Sequence, residues 1–364
     1  VLTSEWLRSL GPEESKKYFM HVAPGTVIKC PEGKKDDTHL NARGARAVAR
    51  MATKEIAKTF PKLASHIVDY DIVVAQDGSG DFMTVQEAVD AAPDYSNART
   101  NILVREGVYR EKITIPASKR NLTLTGDGKV VLSYDDYASR KGYTGHEIGT
   151  TGSASVFVLP DNFTAENITF ENTAGMNAGQ AVACLVDGDR AVFRNCRFLG
   201  HQDTLYTYGK GKYLYFEDCY IEGSVDFIFG PSTALFNSCE IRCKRDKGYI
   251  TAPSTPQGAR HGYVFYECRL TADDDVDGCY LSRPWRDYGQ TVYIRCDIGG
   301  HINPAGWHNW RNPKREKTAF YAEYGNTGAG AKTDKRAFGR VLASLEGYSL
   351  IDILNGWEPD GCRW

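Results

Sequence analysis

Short apolar–polar alternations, closed by Gly, Asn, Asp or Pro, recur along this chain over residues 163–172, 191–200, 213–223, 233–243, 262–272 and 291–300. Alternation over so few residues, punctuated by turn formers, predicts short strands. Five of these segments share the phrase x-Cys-x-apolar, as in Asn195-Cys196-Arg197-Phe198 and Asp218-Cys219-Tyr220-Ile221, and it returns at Cys239, Cys268 and Cys296. Cysteine-to-cysteine steps of 23, 20, 29 and 28 residues fit one solenoid coil with loops of varying length. The expected fold class is all-β, a parallel solenoid entered through strands near 113–116 and 122–126, with Asn167 in the cysteine's place in an earlier coil.

A solenoid needs both ends covered, because terminal coils expose unpaired edges and core. Thr84-Val85-Gln86-Glu87 reads as a capping box that opens a short helix to about Ala92, the expected plug of the entry end. The tail from about Asn312 is expected to return along the outside. Residues 1–70 carry no repeat. Ala45, Val48, Ala49, Ala52 and Ile56 recur at helical spacing and predict an amphipathic helix over 40–60, with another over 5–20. The expected division is therefore a mostly helical N-terminal attachment, residues 1–70, and a solenoid domain, residues 71–364, meeting near 68–71.

The repeat also aligns chemistry. Asp203 lies seven residues after Cys196, and Asp226 seven after Cys219. On neighbouring coils the two side chains would stack about 4.8 Å apart. Carboxylates so close cannot both ionise cheaply, so one is expected to hold a proton while the other stays charged. That is an acid beside a nucleophile.

Composition narrows the field. With 44 Lys and Arg against 46 Asp and Glu, a net charge of −2 and a pI near 6.5, a general nucleic-acid or anionic-membrane binder is not expected. No apolar stretch reaches membrane-spanning length, so no membrane insertion is expected. The chain opens at Val1 and reads as a processed product, so a missing leader says little about export. The five repeat cysteines read as small buried core residues rather than disulfide partners. Asp273, Asp275 and Asp277 resemble the opening of a calcium loop, but Pro284 stands at its twelfth position, so no metal and no cofactor is expected.

The motifs Gly107-Val108-Tyr109-Arg110-Glu111, Gln180-Ala181-Val182-Ala183, Gly200-His201-Gln202-Asp203-Thr204-Leu205-Tyr206, Val225-Asp226-Phe227-Ile228-Phe229-Gly230 and Arg283-Pro284-Trp285 strongly resemble those of the pectin methylesterases. Gly306-Trp307 and Tyr321-Ala322-Glu323-Tyr324 resemble that family's C-terminal signatures. The resemblance implies a right-handed parallel β-helix that removes methyl esters from the C6 carboxyl of galacturonate in pectin and releases methanol. It implies Asp226 as nucleophile, Asp203 as acid then base, Gln180 and Gln202 as oxyanion donors, Arg283 as the partner of Asp226 and Trp285 as a sugar contact. Ser224 and Ser282 stand where threonine and glycine are common in the family, which bears on fine preference rather than chemistry. Tyr206 and Phe229 each follow their aspartate by three residues and are expected to contact sugar rings; Phe227 reads better as a core rung.

Asp36-Asp37-Thr38-His39-Leu40-Asn41 resembles the last block of SGNH-type esterases, including rhamnogalacturonan acetylesterases, in which Asp36 and His39 would complete a serine triad. The block bearing the nucleophile is absent from this chain, so this segment is expected to be inactive. Such a remnant points to a bacterial pectin-degrading system, and a polymeric substrate points to an extracytoplasmic location. The competing expectations are a polygalacturonase, for which paired carboxylates would also serve, a pectate lyase, and a solenoid that binds pectin without acting on it.

Overall fold

The computed structural model describes residues 2–25, 30–64 and 70–362, and it separates into two compact units, Val1–Thr84 and Val85–Trp364. Of the boundary expected at 68–71, residues 68 and 69 lie outside the described set; the division between units falls after Thr84.

In the first unit the helix expected over 40–60 spans Ala42–Thr59, and its Asn41 cap accepts a hydrogen bond from the Gly44 amide. The helix expected over 5–20 is Leu2–Ser15, broken at Gly11 (φ 76°) ahead of Pro12, and only a 3₁₀ turn, Lys16–Tyr18, continues it. Proline cannot extend a helix through its own amide, which accounts for the break.

The second unit is a parallel β-helix. One sheet stacks seven strands in chain order: β1 (Ile113–Ile115), β2 (Val156–Val158), β3 (Cys184–Val186), β4 (Leu205–Thr207), β5 (Val225–Gly230), β6 (Tyr249–Pro253) and β7 (Tyr280–Ser282). A second column runs through Ala191–Arg194, Tyr213–Glu217, Thr233–Asn237, Tyr263–Tyr266, Gln290–Ile294 and Phe320–Tyr324. A third runs through Arg197–Leu199, Tyr220–Gly223, Glu240–Cys243, Arg269–Ala272 and Asp297–Ile298.

The x-Cys phrase makes the corner between the second and third columns. Asn195, Asp218, Ser238, Glu267 and Arg295 all have positive φ, between 47° and 53°, and turn the chain there. The cysteine that follows each one is buried, and its Sγ donates to a carbonyl one coil earlier: Cys219 to Phe193 at 3.4 Å, Cys239 to Phe216 at 3.6 Å, Cys268 to Phe236 at 3.3 Å. A small residue with a weak donor suits this dry corner, and each of the ten cysteines is a free thiol.

Beneath the second column Phe193, Phe216, Phe236, Phe265 and Tyr293 form one stack, with centroid steps of 4.9, 4.7, 4.5 and 4.6 Å and rings within 12° of parallel. Phe216 and Phe236 are fully buried. Truncating Phe236 to alanine is expected to cost about 3–5 kcal/mol, read as a lower midpoint in denaturant unfolding.

The entry end is closed as expected by a helix, Val85–Ala91, with Val85, Ala88 and Val89 buried. Its first amides, Val85 and Gln86, donate to the Glu111 carboxylate at 3.0 Å each. The Gln86 side chain pairs both ways with the backbone of Thr114, at 2.8 and 3.0 Å, and so covers the open edge of β1. At the other end the tail folds back along the outside, where Leu350, Ile353 and Leu354 bury themselves against Tyr215, Leu235 and Val264.

Candidate active site

Strand β4 pairs with β5 in a register that sets Leu205 beside Ile228 and Tyr206 beside Phe229. Asp203 and Asp226 each precede their strand's paired residue by two positions and so occupy equivalent rungs. The Asp203 amide donates to the Val225 carbonyl at 3.1 Å. Both aspartates have positive φ, 68° and 52°, a conformation that aspartate tolerates better than most residues. This twist breaks the strict alternation just ahead of β4 and at the second residue of β5, where the register with β6 shifts between Val225 and Ile228. The two residues are only 7% and 6% exposed.

Arg283, one residue past β7, grips Asp226 with both arms: Nε donates to Oδ1 and Nη2 to Oδ2, each at 2.7 Å. Its guanidinium lies between the rings of Tyr249 and Trp310, 3.8 Å from each centroid. Such a clamp fixes the plane of the carboxylate as well as its charge.

The charge of Arg283 leads one to expect that it lowers the pKa of Asp226, and it does so, but against a larger effect of burial. Burial lifts Asp226 above the ordinary aspartate value, and the hydrogen bonds and charge of Arg283 recover only part of the rise. Burial lifts Asp203 much further, the neighbouring charge of Asp226 adds to it, and Arg283 opposes it only at a distance. Burial and the like charge thus raise Asp203 further than burial, opposed by Arg283, raises Asp226.

Gln180 and Gln202 form an isolated parallel bridge, with the Ala181 amide donating to the Gln202 carbonyl at 3.1 Å and the Ala138 amide to the Gln180 carbonyl at 2.8 Å. Gln180 is exposed and Gln202 half-buried. Gln202 directly precedes Asp203, so its amide is carried on the same corner.

Tyr206 and Phe229 stack at 4.0 Å on the outer face of the sheet, and Trp285 meets them edge-on at 6.3 and 5.9 Å. Tyr206 and Phe229 expose only 7% and 4% of their surface, whereas Trp285 is half-buried. Phe227 is fully buried, a core rung as expected. Its side chain fills the space a Cβ at Gly223 would need, 2.2 Å from its own Cβ.

Tyr249 and Trp310 were not legible as site residues. Neither shares the cysteine register, and only the fold brings them against Arg283. Among the described residues no group of three or more His, Cys, Asp or Glu could hold a metal ion, and no helix is long and apolar enough to cross a membrane. Asp273, in the acidic run, is tied to Arg242 at 2.7 Å. In the first unit Asp36 Oδ2 holds His39 Nδ1 at 2.9 Å, and its Oδ1 accepts the Thr38 and His39 amides. An oriented imidazole is therefore present, and no serine hydroxyl is bonded to it among the described residues.

The Pectinesterase family profile matches residues 71–344. Pectinesterase 31 of Arabidopsis thaliana is 43% identical over 272 residues, 72% of this chain and 84% of that protein. Pectinesterase/pectinesterase inhibitor U1 of Solanum lycopersicum is 41% identical over 287 residues, and there this chain spans only about half of its relative's length, 48%. Among solved structures, pectin methylesterase from carrot superposes with a TM-score of 0.75 at 36% identity, over 80% of this chain and 94% of that one. These relatives come from flowering plants, which lends no support to the bacterial source expected from the N-terminal segment.

Proposed function

Since the chain belongs to the pectinesterase family, we propose that it hydrolyses the C6 methyl esters of galacturonate units in pectin, with Asp226 as nucleophile and Asp203 as acid and then base. The observation that carries the reading is the asymmetry of the aspartate pair: one carboxylate clamped by an arginine, its neighbour on the next rung lifted far above the usual range.

In the first step a carboxylate oxygen of Asp226 attacks the ester carbonyl. The clamp keeps that group ionised and aims it. The tetrahedral oxyanion is met by the side-chain amides of Gln180 and Gln202, uncharged donors of which one is typically worth about 2.7–4 kcal/mol to the transition state. The carbon–oxygen bond to methanol then breaks, and the Asp203 proton goes to the leaving oxygen. Asp203, now ionised, takes a proton from water, which attacks the anhydride, restores Asp226 and leaves galacturonate. Trp285, with Tyr206 and Phe229 behind it, offers a ring face to the sugar. Only Trp285 has much surface to give, so Tyr206 and Phe229 act mainly as its backing.

A glycosidase would also use paired carboxyls about 5 Å apart, but a bidentate arginine on one of them suits acyl transfer, where attack needs a fixed anion. The discriminating experiment incubates highly methylated pectin with the enzyme and follows methanol, reducing ends and unsaturated ends together. Methanol alone supports the reading; reducing ends or unsaturated ends without methanol reject it. A polymeric substrate places the enzyme outside the cytoplasm.

The clamp also sets a pH dependence. Arg283 lowers the pKa of Asp226 against the pull of burial, so Arg283→Gln lets it rise. The acid limb of the kcat/KM profile is then expected to move to higher pH, where more of Asp226 becomes ionised. An unmoved acid limb would mean that the guanidinium does not tune the nucleophile.

A further inference from the structure

Building on the ester-hydrolysis reading, we propose that His308 is a positioning residue for the nucleophile: its ring nitrogen holds Trp310 over Arg283, and so keeps the guanidinium in the plane of the Asp226 carboxylate. The parallel bridge between Ser282 and Trp307 puts the residue after each, Arg283 and His308, at the same rung of neighbouring coils. The His308 amide donates to the Ser282 carbonyl at 3.1 Å, which secures that rung.

The two rings that enclose the guanidinium are not held alike. Tyr249 opens β6 and pairs in register with Tyr280 at the start of β7; their rings stack at 5.2 Å, within 14° of parallel. The sheet itself therefore fixes Tyr249. Trp310 comes from a turn instead. It and Arg311 both have positive φ, 55° and 57°, a conformation that two successive residues other than glycine adopt only when their surroundings impose it. The Trp310 amide donates to Nδ1 of His308 at 3.1 Å, the pattern in which a side-chain acceptor closes a turn onto the amide two residues on. Without that acceptor the turn, and the ring it carries, lose their fixed point.

The bond also sets the state of the imidazole. A ring nitrogen that accepts must be unprotonated, so His308 is neutral and carries its proton on Nε2. Burial lowers its pKa, and the charges of Arg283 and Arg311 lower it further, which favours that form. The ring meets Tyr249 and Tyr280 edge-on at 5.4 Å each. His308 thus touches both walls of the clamp, one through its ring and the other through its lone pair. A guanidinium with an aromatic face on either side can turn only in its own plane. The bidentate bond to Asp226 needs that plane, and a tilt would cost the nucleophile part of its aim.

Two substitutions separate the acceptor from the ring. His308→Phe keeps a ring against Tyr249 and Tyr280 and removes the acceptor, whereas His308→Asn removes the ring and keeps an oxygen that can take the Trp310 amide. His308→Phe is expected to lower kcat for methanol release about tenfold with KM little changed. It should also move the titration of the Asp226 carboxyl, followed by carbon-13 NMR, to higher pH, because Arg283 opposes burial there. His308→Asn should keep the parent kcat and the parent titration. An Asp226 titration unmoved in the phenylalanine variant, or an asparagine variant that falls with it, would overturn the assignment. Nitrogen-15 NMR of the parent ring should show Nε2 protonated and Nδ1 bare; a proton on Nδ1 at neutral pH would overturn it without recourse to a variant. Neither NMR readout needs turnover. A parent chain that releases no methanol would reject the ester-hydrolysis reading, and the Asp226 shift would still decide whether His308 positions Arg283.

Discussion

Asp226→Ala is expected to release methanol on the order of 10⁴-fold or more slowly than the parent chain while still binding pectin. The size follows from the role: among the described residues Arg283 holds no other carboxylate in an ion pair, and in the variant burial still raises the pKa of Asp203. The variant also strands the Arg283 guanidinium between Tyr249 and Trp310 without its anion, and breaking a pair this buried costs about 3–5 kcal/mol. Circular dichroism and a binding titration must therefore accompany the assay. A folded variant that binds polymer and keeps more than a few per cent of the parent rate would remove Asp226 from the chemistry.

Asp203→Asn is expected to slow methanol release by about 10²–10⁴-fold, the usual worth of a placed acid and base. An ester whose alcohol is acidic enough to leave without a proton should recover much of the first step. It should then show a burst of alcohol, because asparagine cannot deprotonate the water for the second step. The same substitution should stabilise the fold. The pKa of Asp203 is raised on folding, so between the unfolded and folded values the native state binds more protons, and stability falls as pH rises through that window. Asparagine removes this loss. Its melting temperature is expected to exceed the parent's near neutral pH, with the gap closing as pH falls toward about 3.9, the unfolded aspartate value. Activity and stability thus pull in opposite directions at this residue.

The coil was legible because its corner has a fixed chemistry. A left-handed residue followed by a small buried one recurs at Asn195-Cys196, Asp218-Cys219 and Ser238-Cys239, and only a repeat that tight keeps two aspartates in step. The depth of the site was not legible. Alternation says that Tyr206 and Phe229 share a face, but their burial depends on Trp285 and Trp310 arriving from later loops. That burial outweighs Arg283 at Asp226 was not legible for the same reason, since a sequence shows the partner charge and hides the desolvation. The break at Gly11-Pro12 differs, because both helix breakers stand in the sequence and their local chemistry overrides the apolar spacing around them. Glu111, part of the Gly107–Glu111 motif, holds the first amides of the entry helix, a role that needs partners 26 and 25 residues upstream.

The most direct test of the aspartate pair is a carbon-13 NMR titration of the aspartate carboxyls in the parent chain and in Asp226→Asn. Asp203 should titrate far above the ordinary aspartate range in the parent and at lower pH in the variant, where the neighbouring negative charge is gone and burial is opposed by Arg283. An Asp203 carboxyl that titrates with the surface aspartates, and does not respond to the substitution, would contradict the account.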